Sequence, residues 1–263
     1  MPAIPTFKGA ARPFTDGAIA AAAAKLDCEI AALRAVMQVE SRGGFLPDGR
    51  PRILFERHYF SRLTNGVHNH EHPDISATKS GGYSGGAAEH DRLARAASLD
   101  LPAAIRSTSW GAFQVMGDHF KRLGYATPQA FAAAMCESED RHLDAFVAFV
   151  RFSKLDDELR RHDWAGFARG YNGPNYKINR YDEKMAAAYR LFAMGEARAD
   201  GGRPNLRMGD EGPDVVTLQR ALGLNPDGDF GPATKASVVK FQKSKGLVAD
   251  GFVGPLTWRA LGL

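Results

Sequence analysis

Cysteine is nearly absent from this 263-residue chain, with Cys28 and Cys136 as the only two. Neither lies in a CxxC pair or a ligand-like spacing, which argues against a disulfide framework and against a zinc module. Spacing does not say whether they pair; buried free thiols are the expectation. Long hydrophobic runs are also missing. No stretch approaches the roughly 20 apolar residues of a membrane span, so no membrane insertion is expected. The Ala-rich run Ala18–Ala24 is too weakly apolar for the core of a secretory leader, and Lys25 and Asp27 stand where a cleavage site would fall. Synthesis in the cytoplasm without an export signal is therefore expected. Neither sign of charge dominates: 34 Lys and Arg against 30 Asp and Glu leave +4, with a pI near 9.1. Such a surface favours polyanions. The basic residues are scattered without interleaved exposed aromatics, so nucleic acid is not an expected partner.

What is present is an ordinary globular composition with strong helical patterning. The spacing predicts helices over about 15–26 and 28–41, with Thr15 or Asp16 capping the first. Ile53–Phe55 reads as a short strand or hairpin passing into a helix at about 56–63. A polar loop follows from Thr64 to Ala88, and a loop of that length inside a domain is usually functional. Beyond it, helices are predicted over 89–98, 102–107, 110–123, 128–137, 140–152, 154–160, 163–170 and 177–194. GEARADGGRPN (195–205) is the one linker-like stretch, giving a first domain at 1–195, a linker at 196–204 and a second domain at 205–263. That second domain echoes itself: DGDFGPATKAS (227–237) and DGFVGPLTWRA (250–260) repeat 23 residues apart. Each unit is a tight Asp-Gly turn followed by a helix with Pro in its first turn. Val215, Leu218 and Leu222, then Val238, Val239 and Phe241, supply apolar faces for a three-helix unit. It contains no cluster of ionisable residues suited to chemistry, so a binding role is expected.

The chemistry is expected in the first domain. On the helix CEIAALRAVMQVES, residues Leu33, Val36, Met37 and Glu40 share one face. Three are apolar, so Glu40 arrives at the last turn beside a core, before Gly43–Gly44 stops the helix. Loss of hydration there is expected to keep its proton on near neutral pH, as general-acid cleavage of an ether-like bond requires. A helix-end Glu reaching out to water is the plain alternative. Further candidates are Glu56 in ILFERH, SWGAFQVMG (109–117) and GYNGPNY (170–176). Ser109 can cap a helix, Gly111 allows close chain passage, and Gln114 can bond a sugar amide or hydroxyl. Tyr171 offers a flat face and a hydroxyl, Asn172 an amide. Each motif also reads as ordinary core or turn.

Taken in order, Glu-Ser at a helix end, Gly-x-x-Gln-x-Met and Tyr-Asn-Gly resemble the lysozyme-like superfamily of goose-type lysozymes and soluble lytic transglycosylases. VESRGGFLPDGRPRILFERHYF, RSTSWGAFQVMG and YNGPNYKINRYDEKMA resemble the N-acetylmuramidase domain of modular phage endolysins. Residues 205–262 resemble a helical-repeat peptidoglycan-binding domain. The resemblance implies a mainly α, lysozyme-like domain with a small β-hairpin region and a C-terminal three-helix wall anchor. It places the catalytic glutamate on Glu40 and the groove residues on Ser109, Gly111, Gln114, Tyr171 and Asn172. The implied reaction cleaves the β-1,4 bond between N-acetylmuramic acid and N-acetylglucosamine in peptidoglycan. The protein would be a monomer that acts in the periplasm after release through membrane holes.

An inverting hydrolase needs a second carboxylate about 6.5–9.5 Å from the first. Glu56 is the first choice, with Glu71, Asp74 and Glu89 in reserve; Glu56 beside Arg57 also reads as a structural ion-pair partner. A transglycosylase giving 1,6-anhydro products, and a wall-binding virion protein without catalysis, stand as alternatives. His68, His70 and His72 alternate in VHNHEHPD, yet no fourth ligand or supporting shell accompanies them, so neither a metal nor another cofactor is expected.

Overall fold

The computed structural model describes residues 6–41, 43–196, 203–247 and 249–263. The expected linker at 196–204 therefore lies, from 197 to 202, outside the described residues, as does Arg42. The elements run α1 (Asp16–Leu26), α2 (Ile30–Glu40), β1 (Ile53–Phe55), α3 (Arg57–Leu63), α4 (Ala88–Leu99) and α5 (Leu101–Arg106). Then come β2 (Thr108–Trp110), β3 (Val115–Met116), α6 (Pro128–Glu137), α7 (Glu139–Phe152), α8 (Asp156–Arg160), α9 (Trp164–Asn172) and α10 (Tyr181–Glu196). The C-terminal part holds α11 (Pro213–Ala221), α12 (Pro232–Ser244) and α13 (Pro255–Ala260). The fold is mainly helical, with a small antiparallel sheet, as the sequence predicts.

Local chemistry explains several of the boundaries. Thr15, Asp100, Thr127, Ser138 and Asp163 each accept a backbone N–H at a helix start, the role of a short polar side chain at an N-cap. Helix α2 ends at Glu40 because Ser41 turns extended, at ψ 127°. One expectation fails. Residues 110–123 do not form a helix; 108–116 is a hairpin in the order β1-β2-β3, with Ser109 opposite both Leu54 and Met116. The reason is the turn: Gly111 (φ 73°) and Gln114 (φ 51°) both adopt left-handed backbone, which breaks a helix and reverses a strand.

Two large apolar clusters, with a smaller one of Ala31, Ala35, Ala188 and Phe192, fill the large domain. Phe55, Phe60, Ile75, Leu93, Ile105, Trp110 and Phe131 form one beneath the sheet. Leu26, Leu33, Val36, Phe146, Val150 and Phe167 form the other, around α2 and α7. Each such side chain, fully removed from water, contributes about 1.5–3 kcal/mol. The loop from 64 to 88 is a chain of hydrogen-bonded turns pinned by buried Ile75, with Ser76 Oγ donating to Asn69 Oδ1 at 2.6 Å. Both cysteines are free, Cys28 half-buried and Cys136 buried.

The C-terminal repeat has a polar hub that the apolar-face reading overlooks. Val238 is buried as expected, but Val239 and Phe241 are half-buried and the next fully buried residue is Gln242. Gln219 donates to Asp227 Oδ1, Asp229 O and Thr234 Oγ1 at 2.6, 2.9 and 3.0 Å, and accepts from Gly228 N at 2.9 Å. Gln242 repeats every bond 23 residues on, to Asp250, Phe252, Thr257 and Gly251. A buried amide is tolerable only when satisfied in this way, and here it closes each Asp-Gly turn onto its helix. The unit touches the larger domain where the Arg207 guanidinium donates to Phe14 O.

Candidate active site

One face of α7 assembles the site. Glu139, His142, Phe146 and Phe149 fall at i, i+3, i+7 and i+10, and between them they hold the candidate segments. Glu139 Oε1 accepts from Gly44 N at 2.6 Å and its Oε2 from Phe14 N at 3.2 Å, which fixes the chain just after Glu40. Burial pushes the Glu139 carboxyl above its ordinary value, against the pull of those two donors.

His142 lies between the two glycine turns. A Cβ on Gly44 would sit 2.5 Å from His142 Nδ1, and one on Gly111 would sit 2.7 Å from its Cδ2. Only glycine permits either approach, and Gly111 also has φ 73°. His142 Nδ1 accepts from Ala112 N at 3.2 Å, so the ring proton is on Nε2, which donates to Met135 O at 2.7 Å. Burial lowers the imidazole to about 4, keeping it neutral.

Further along, Phe146 stacks on Phe113 at 4.5 Å, and both Phe146 and Phe149 pack edge-on to Tyr171. Tyr171 also stacks on Phe167 and donates its hydroxyl to Phe113 O at 2.9 Å. Burial, then the nearby Glu40 charge, lift its phenol far above its ordinary value. The next residue, Asn172, donates its side-chain amide to Glu40 Oε2 at 3.1 Å. Glu40 itself is half-buried, on the face whose Leu33, Val36 and Met37 are buried as the periodicity predicts. Glu40, the 111–114 turn and Tyr171–Asn172 thus converge.

The remaining candidates are distributed differently. Gln114 bends back on its own turn, donating to Gly111 O at 2.9 Å. Ser109 sits on the central strand with its hydroxyl 3.0 Å from Met116 Sδ. Glu56 stands just before α3 at the sheet's edge and makes no side-chain capping hydrogen bond; its carboxylate meets Tyr83 and His58 instead. Of the reserve carboxylates, Glu71 is exposed and Asp74 pairs with Arg95. Glu89 has no exposure and is saturated by Phe55 N, Ser84 N, Gly85 N and Arg92. Burial raises its carboxyl, but those donors outweigh burial and leave it lowered. With every lone pair engaged, Glu89 is a structural anchor with no capacity to activate water. His68 stacks on Phe60 and packs against His72; among the described residues no group of three metal-ligating side chains comes together.

Sequence reading missed Glu139 and His142. Their signal was the spacing EDRHLDAFVAF, in which two polar residues continue an apolar stripe, which marks polar groups facing a core.

The family described as "N-acetylmuramidase" matches residues 29–193, and that described as "Putative peptidoglycan binding domain" matches residues 211–261. No curated protein matches the chain significantly. Among solved structures, the crystal structure of the Burkholderia AP3 phage endolysin is similar at 45% identity and a TM-score of 0.68, covering 70% of this chain and 73% of that one. Fold and family together define a two-module enzyme of the bacterial cell wall. The chain belongs to the N-acetylmuramidase family, with peptidoglycan as its substrate polymer.

Proposed function

We propose that this protein is an endolysin that hydrolyses the β-1,4 bond between N-acetylmuramic acid and N-acetylglucosamine, with Glu40 as the proton donor. The observation that carries the assignment is the Asn172–Glu40 hydrogen bond, which fixes a half-buried carboxyl at the end of a helix packed in the core. Glu40 protonates the glycosidic oxygen as positive charge develops at the anomeric carbon. Tyr171 acts from behind, holding Asn172 and the 113–114 turn through its ring and hydroxyl. Ser109, Gly111 and Gln114 line the sugar path from the hairpin side, and Glu56 serves as the second carboxylate that orients the attacking water.

Domain limits at 1–195, 196–204 and 205–263 follow from the same reading, with the last unit acting as a wall anchor. The anchor raises the enzyme's effective concentration on an insoluble polymer. The protein works as a monomer, without nucleic acid or membrane insertion, on the periplasmic wall after release from the cytoplasm. Among the described residues no helix is long and apolar enough to cross a membrane.

Digestion of purified wall in H2(18)O, followed by mass spectrometry of the muropeptides, tests the reaction. Reducing muramic ends carrying one (18)O support hydrolysis. Unlabelled 1,6-anhydro ends would show that the substrate's own hydroxyl attacks, and the enzyme would then be a lytic transglycosylase.

A further inference from the structure

Glu56 is held by a device that its place in the sequence does not require. The Arg57 guanidinium reaches into the long loop, donating to Lys79 O at 3.0 Å, Ser80 O at 3.2 Å and Pro73 O at 3.3 Å. Four residues on, buried Glu89 takes Ser84 N and Gly85 N at 2.5 and 2.9 Å. Between these anchors the chain passes over Arg57 at Gly82, where φ is 75° and a Cβ would meet Arg57 Nη1 at 3.0 Å. The strap so formed, 79–85, sets the Tyr83 hydroxyl 2.9 Å from Glu56 Oε2 and 3.1 Å from Oε1. From α3, His58 Nδ1 lies 3.2 Å from the same Oε2, and the Glu56 side chain is 15% exposed. The Tyr83 ring is 48% exposed, so apolar burial does not explain the strap.

A hydroxyl shared between both oxygens of a carboxylate donates to the ionised form and fixes its rotation. The titratable and charged groups around the pair are the His58 imidazole on α3, Arg57 turned to the loop carbonyls, and Arg92, which is neutralised by Glu89. Burial and the Glu56 charge raise the Tyr83 phenol, which keeps its proton available for donation.

We propose that Tyr83 is a positioning residue for the glycosidase reaction: the 79–85 strap delivers its hydroxyl to both oxygens of Glu56, fixing the rotation of that carboxylate and aiming it at the attacking water. This rests on the reading of Glu56 as the second carboxylate. The loop from 64 to 88 thereby gains a function, since its turns carry one hydroxyl to one carboxylate.

The test compares wild type, Tyr83→Phe, Glu56→Gln and the double variant on soluble uncrosslinked glycan strands, with thermal melting as the fold control. Tyr83→Phe is expected to lower kcat about 10–100-fold with KM within about twofold, the scale of one hydrogen bond to a charged group. The double variant should be no slower than Glu56→Gln, because the hydroxyl then has nothing to position. Ultraviolet titration gives a second readout: the wild type minus Tyr83→Phe difference isolates the Tyr83 phenol, and Glu56→Gln should lower it. Wild-type kcat in Tyr83→Phe with Glu56→Gln inactive would overturn the proposal and leave the role of Glu56 standing. An active Glu56→Gln would remove both. A Tyr83 phenol indifferent to Glu56→Gln would deny the contact itself.

Discussion

Asn172 Nδ2 lies 3.1 Å from Glu40 Oε2, joining the last residue of α9 to the last residue of α2 across 132 positions of chain. A carboxylate oxygen only accepts, so the Asn172 NH2 must face it. Losing this donor should cost the orientation of the acid more than the fold. Asn172→Ala is expected to lower kcat on purified wall about 10–100-fold with the melting temperature little changed. Asn172→Asp, which replaces the amide donor with a second carboxyl group against Glu40, should fall further. Equal rates in all three would remove Asn172 from the machinery.

His142 gives the fold a pH dependence. Its folded value is near 4, against an ordinary 6.5, so on acidification the unfolded chain takes the proton first. The stabilisation is complete above about 6.5, declines as pH falls from there towards 4, and is gone below; its full size is on the order of 3 kcal/mol. Urea unfolding at pH 7, 5.5 and 4.5 should show this loss in wild type and a flatter profile in His142→Gln. Parallel profiles would contradict the assignment.

The Glu89–Arg92 pair is buried, at 0% and 6% side-chain exposure, and ties β1 to the long loop. Removing one partner leaves the other charge stranded. Glu89→Ala should destabilise by about 3–5 kcal/mol, measured by denaturant unfolding. Replacement of both residues by apolar ones of similar size should cost less.

In the repeat, Gln219 and Gln242 each satisfy a backbone N–H and a turn aspartate in the core. Gln242→Leu strands Gly251 N–H, at a cost of about 1–3 kcal/mol. Co-sedimentation with wall should weaken on heating at a lower temperature than for wild type. An unchanged profile would make the hub dispensable.

Much of this architecture is legible in the sequence because it is local. The 3.6 period on 30–40 places Glu40 beside buried Leu33, Val36 and Met37, and the 23-residue echo gives the repeat. The hairpin at 108–116 is misread because Trp110, Phe113 and Met116 lie at helical spacing. The hairpin turn depends on Gln114 in left-handed backbone, a conformation glutamine does not advertise. The organising role of α7 is invisible for another reason. Glu139 meets Gly44 across 95 positions and His142 meets Ala112 across 30, and no periodicity encodes such pairings. Gln219 and Gln242 hide in plain view, as polar residues on faces judged by their apolar neighbours.

The most direct measurement is muropeptide release from purified wall by wild type and Glu40→Gln, matched for folding by circular dichroism. With Glu40 as the proton donor, release should fall about 100–10,000-fold in the variant while its co-sedimentation with wall is unchanged. A Glu40→Gln protein that releases muropeptides within tenfold of wild type would contradict the account.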